Sequence, residues 1–88
     1  MATLNFNKEG NEYIARFVSE GNTVVQLERE KAGVISVRAS IGGMKEVPVA
    51  QIQNGYTHDA IFAINVPSGV NVAIVSQTEV KNAETLTA

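Results

Sequence analysis

His58 and Asp59 stand side by side in this chain, its only histidine and its only aspartate. They are the residue types best suited to proton transfer. Neighbours along a strand point to opposite faces of a sheet, so the pair forms a relay only where the segment is a loop. Catalysis draws on two or more titratable groups that meet at one place. The remaining acids are eight glutamates scattered from Glu9 to Glu84, and acids so spread read as a solvated rim. No Gly-x-Ser-x-Gly elbow is present, and Pro67-Ser68-Gly69 is turn punctuation. Gly42-Gly43 runs into Met44-Lys45 without the Lys-Ser/Thr of a phosphate cradle. One aspartate cannot build a calcium loop. With no cysteine and one histidine, a zinc site is excluded as well. The chain is therefore expected to be no enzyme, with no cofactor, no metal and no small-molecule substrate.

Charge points the same way. Seven basic and nine acidic side chains leave a net charge of −2. Lys8, Arg16, Arg29, Lys31, Arg38, Lys45 and Lys81 form no cluster, whereas nucleic-acid binding needs clustered cations to neutralise phosphates. No apolar run approaches the roughly 20 residues of a membrane helix. The opening Met1-Ala2-Thr3-Leu4-Asn5-Phe6 lacks the basic and apolar regions of a secretory leader. No nucleic-acid or membrane partner is expected.

The elements that must hold these residues are strands. Apolar and polar residues alternate in short runs, with Gly and Asn about every ten residues between them, and such rhythm marks an all-β sandwich or barrel. Strands are predicted over 3–7, 12–19, 23–29, 34–41, 45–52, 60–66 and 70–80. Pro48 lacks an N–H, so 45–52 belongs on a sheet edge or at a bulge. Glu-Gly-Asn occurs twice, at 9–11 and 20–22, one strand plus one turn apart, which suggests a meander. Glu30-Lys31-Ala32-Gly33 reads as a hairpin loop with Gly33 in a left-handed conformation, and Asn54-Gly55 as a tight turn. Residues 81–88 read as a polar C-terminal tail. The predicted fold is a single all-β domain over 1–88. It is an antiparallel two-sheet β-sandwich of seven or eight short strands, jelly-roll-like, with a small partly open β-barrel as the alternative.

Apolar residues also fall on faces that alternation turns outward: Ile14, Val18, Val24, Val34, Ala73 and Val75. Lined up across strands they would form an exposed patch, and such patches mark partner surfaces. Tyr56 adds a ring with a polar tip, a type enriched at interfaces, and His58 a contact sensitive to pH. A small domain without disulfides gains from association, so protein partners are expected. Val75→Lys or Ile14→Lys should then abolish association and spare the fold.

The segment 12–42, opening Glu12-Tyr13-Ile14-Ala15-Arg16-Phe17-Val18, resembles small β proteins encoded by tailed phages of gut Bacteroides-type bacteria. The run 62–80 is similar to them too, with Val66-Pro67-Ser68-Gly69-Val70 before an apolar strand that ends in Ser76-Gln77-Thr78. The resemblance implies a capsid auxiliary or decoration subunit of a bacteriophage virion, a structural protein bound to copies of itself or to a larger shell. It assigns a role to no single residue. A virion location follows if the chain is phage-encoded, and a cytoplasmic one otherwise. The rival is a carbohydrate-binding or adhesin-like module, for which only Tyr13 and Tyr56 could serve as stacking platforms because tryptophan is absent.

Overall fold

The computed structural model describes residues 1–52 and 58–87. They form nine strands and no helix. The strands are β1 (Ala2–Thr3), β2 (Asn7–Glu9), β3 (Glu12–Val18), β4 (Thr23–Arg29), β5 (Ile35–Ser40), β6 (Val47–Ile52), β7 (Ala60–Ile64), β8 (Asn71–Ser76) and β9 (Val80–Thr87). One sheet has the order β1-β9-β4-β7, the other β2-β3-β8-β5-β6. All pairings are antiparallel. The two sheets face each other and do not close into a barrel.

The pairing is nested. β5 pairs β6, β4 pairs β7, β3 pairs β8 and β1 pairs β9. Rolling such a long folded hairpin into two sheets gives the jelly roll, with β2 as an additional edge strand. The arrangement corrects the predicted meander. The first Glu-Gly-Asn does join a hairpin, β2 to β3, and Gly10 supplies its φ of 63°. The second carries the chain from one sheet to the other, as does 30–33. Gly33 is not left-handed either. A Cβ there would lie 3.1 Å from Thr78 Cγ2, so what favours glycine is close approach to the chain just past β8 and not backbone conformation.

Alternation builds the core. Val25 and Leu27 of β4, Ile35 and Val37 of β5, and Val72 and Ile74 of β8 meet between the sheets, joined by Ile64 and Ala83. Each large side chain so buried contributes about 1.5–3 kcal/mol. Leu4 and Phe6, on the link between β1 and β2, pack against the same cluster and close one side of the sandwich. Of the stretch 81–88, expected as a tail, residues 81–87 belong to β9. That strand lies inside its sheet between β1 and β4, with Ala83 buried. The long strand predicted over 70–80 is in fact two, β8 and the start of β9, in different sheets. Pro48 sits on edge strand β6, beside a register shift opposite Val37 and Arg38, as its missing N–H requires.

An exposed pair ties the end of β4 to the start of β9: Lys81 Nζ lies 2.6 Å from Glu30 Oε1. The hydrogen bond from Lys81 holds the Glu30 carboxyl below the usual carboxylate range, and Glu30 holds the Lys81 ammonium above its own. The stabilisation from Glu30 is present above the pKa of an unfolded glutamate and is lost as pH falls through its depressed folded value. That from Lys81 is present below the pKa of an unfolded lysine and is lost as pH rises through its elevated folded value. Melts between about pH 5 and 9 should therefore be flat with respect to this pair. Lys81→Met should differ only slightly from wild type, and the difference should vanish in high salt. Thermal melts of both proteins across pH and salt check this.

Candidate protein interface

The outward apolar residues do not form one patch. Ile14, Ala73 and Val75 lie on the outer face of the five-stranded sheet, yet they are buried and form a small second core. What covers that face is a charged roof. In register, Arg16 of β3 and Arg38 of β5 flank Ala73 of β8. Arg16 Nη1 lies 2.6 Å from Glu9 Oε2, and its Nε 3.0 Å from Glu46 Oε2, just before β6. Arg38 Nη2 donates to Glu12 Oε2 at 3.4 Å. Glu12 to Arg38 and Arg16 to Glu46 both run across β8, which lies between their strands. Arginine stems shelter apolar surface while their heads stay wet. The hydrogen bonds that Arg16 donates to Glu46 and Glu9 raise its pKa further above an already high value, so the roof stays charged. The expectation that Ile14, Ala73 and Val75 are free contact residues is thus corrected: all three are core.

Val18 and Val24 are exposed as expected, but on opposite faces of the sandwich. Val24 lies in a row with Leu86 of β9 and Ala63 of β7, next to Ile61, which is 68% exposed. Val34 is half-buried. His58 is exposed at the far end of the molecule, where its carbonyl oxygen serves the fold. Tyr56, like Asn54-Gly55, lies outside the described residues.

A second apolar surface was not read from the sequence. β5 stops at Ser40, and Gly42, with φ of 58°, turns the chain. Met44 N donates to the Ile41 carbonyl at 3.2 Å, and Asn71 Nδ2 donates to the Gly42 carbonyl at 3.2 Å, fixing the turn to β8. The turn and the start of β6 enclose a shallow cleft of about 370 Å³ lined by Ala39, Ile41, Met44, Val47 and Val70, with Ser40 and Lys45 at its margin. Ile41, Met44 and Val47 are all more than half exposed. Parity with Val37 and Ala39 suggested an inward Ile41, and the end of the strand frees it.

The opposite end is polar and built on Arg29, which is 3% exposed. Arg29 continues the inward parity of Val25 and Leu27, so alternation alone could have found it. Its Nε donates to the His58 carbonyl at 2.7 Å, and its Nη2 to the Gly33 carbonyl at 3.2 Å. Its Nη1 donates to the hydroxyls of Ser76 at 3.1 Å and Thr78 at 3.2 Å. Those hydroxyls donate onward to the carbonyls of Thr78 and Lys31. Asp59 Oδ1 accepts from the Arg29 backbone N–H at 3.2 Å. Burial lowers the Arg29 pKa, and the Asp59 charge partly offsets this. Beside this plug, Tyr13, Glu30, Lys31, Gln77, Thr78 and Glu79 line an open polar cleft of about 380 Å³. Among the described residues, no three His, Cys, Asp or Glu side chains come together as a metal site. Comparison with protein-family models, with curated proteins and with solved structures finds no match to this chain.

Proposed function

We propose that this protein is a non-enzymatic structural subunit that binds neighbouring protein subunits, with the shell of a phage virion as its setting. The observation that carries this reading is the apolar cleft at Ile41, Met44, Val47 and Val70. Exposed apolar clusters rimmed by polar groups mark protein-binding sites, and Lys45 and Ser40 form such a rim. β6, exposed along almost its whole length, continues the surface. Viral capsid domains are among the users of the jelly roll, and this analogy of fold supports the setting. The test is association of the purified chain with candidate shell proteins, measured by light scattering. Met44→Lys should abolish or weaken it at least tenfold and leave the melt unchanged, because Met44 is 71% exposed. Association unaffected by Met44→Lys and by Val47→Lys would remove the cleft from the interface.

The polar cleft favours a second reading, sugar recognition. Tyr13 brings an aromatic ring to its lining, and the acids and amide around it offer hydrogen bonds to hydroxyls. Saturable binding on a glycan array, lost in Tyr13→Ala, would favour that reading over assembly.

A further inference from the structure

The four sheet edges are not protected alike. An open edge presents unpaired N–H and C=O groups, and soluble proteins blunt it with shortness, charge, proline or a bulge. β1 has two residues. β2 has three, of which Lys8 and Glu9 are charged. β6 carries Pro48 and a bulge. β7, Ala60-Ile61-Phe62-Ala63-Ile64, has none of these devices. It carries no charge, no proline and no bulge, its register with β4 is regular over five residues, and among the described residues no strand lies beyond it.

We propose that β7 is the pairing edge of a homodimer, in which two copies join antiparallel about a two-fold axis at Phe62. This rests on the assembly reading above and names the partner as a second copy. The sequence of β7 suits its own reverse. With Phe62 opposite the partner's Phe62, Ile61 falls opposite the partner's Ala63, and Ala60 opposite the partner's Ile64. Large residues then meet small ones on both faces, and the central pair is aromatic, a favourable cross-strand combination. No like charges meet, because the strand has none. The two four-stranded sheets become one of eight, and the outward row of Leu86, Val24 and Ala63 continues across the axis.

Light scattering on the full chain over a concentration series is the first test, with twice the 9.4 kDa chain mass expected. Ile61→Lys, at a 68% exposed position, should weaken dimerisation at least tenfold with its circular dichroism spectrum unchanged. The second test uses the absence of native cysteine. Ile61→Cys mixed with Ala63→Cys should cross-link under mild oxidation far more than either variant alone, because directly opposed residues lie about 4.5–5.5 Å apart, within disulfide reach. A chain that stays single at high concentration overturns the β7 pairing, and if it still binds a shell protein the assembly reading stands. Association that ignores Ile61→Lys and gives no preferential mixed cross-link also overturns the pairing and leaves assembly intact. Should Ile61→Lys fail to fold, the mixed cross-link decides. A single chain with no protein partner and a saturable glycan ligand overturns both.

Discussion

Arg29→Met is expected to remove about 3–5 kcal/mol of stability, because it breaks four hydrogen bonds from a charged donor and leaves their part-buried acceptors short of a partner. A domain of this length has about 4–13 kcal/mol in total, so the variant should be marginal or unfolded at 25 °C. Methionine fills much of the volume but donates nothing. The carbonyls of His58 and Gly33 would lose their side-chain donor, and the hydroxyls of Ser76 and Thr78 would each lose one. Those acceptors come from the entries to β7 and β5 and from the corner between β8 and β9. The guanidinium therefore holds together three crossings between sheets. Arg29→Lys should lose less, since it keeps the charge, but an ammonium cannot reach all four acceptors as the planar fork does. Urea unfolding of the three proteins measures the order, wild type above Arg29→Lys above Arg29→Met. A midpoint for Arg29→Met equal to wild type would show the network to be incidental.

Val75→Lys should also cripple the fold, by about 2–4 kcal/mol, and Val18→Lys should not. Val75 is 2% exposed under the charged roof, whereas Val18 is 59% exposed on the same outer face. A lysine at 75 loses the apolar burial of valine. It escapes to water only by pushing aside the link from Glu12 to Arg38, and it adds a positive charge beside Arg16 and Arg38. The same substitution at 18 projects into solvent. Thermal melts separate the two outcomes. Equal melting temperatures would mean that the roof opens at no energetic penalty and that the second core is not one.

Alternation made the inner faces legible: Val25 with Leu27, Ile35 with Val37, and Val72 with Ile74 all point inward as their period of two requires. It could not see the outer roof. Whether Ile14 and Val75 are wet depends on Arg16, Arg38, Glu9, Glu12 and Glu46, which come from four separate strands or loops and meet only in register. β9 was missed because Lys81, Asn82 and Glu84 look like a tail, and the inward pair Ala83 and Thr85 is too small to signal a buried face. Sheet order was out of reach, since hairpin turns and crossings between sheets use the same Gly and Asn punctuation. The apolar cleft was hidden because Ile41 keeps the inward parity of β5 after the strand has ended.

The nested pairing bears on how the chain folds. Among the four nested pairs, β5 and β6 are closest in sequence and close the shortest loop, so they can form first. Once they are in place, β4 and β7 are brought near, then β3 and β8, and last β1 and β9. Each zippering step shortens the effective loop that the next must close. Because the outermost partners are Ala2 and Thr85, most native pairs span long stretches of chain, which places folding in the millisecond-to-second range typical of such topologies.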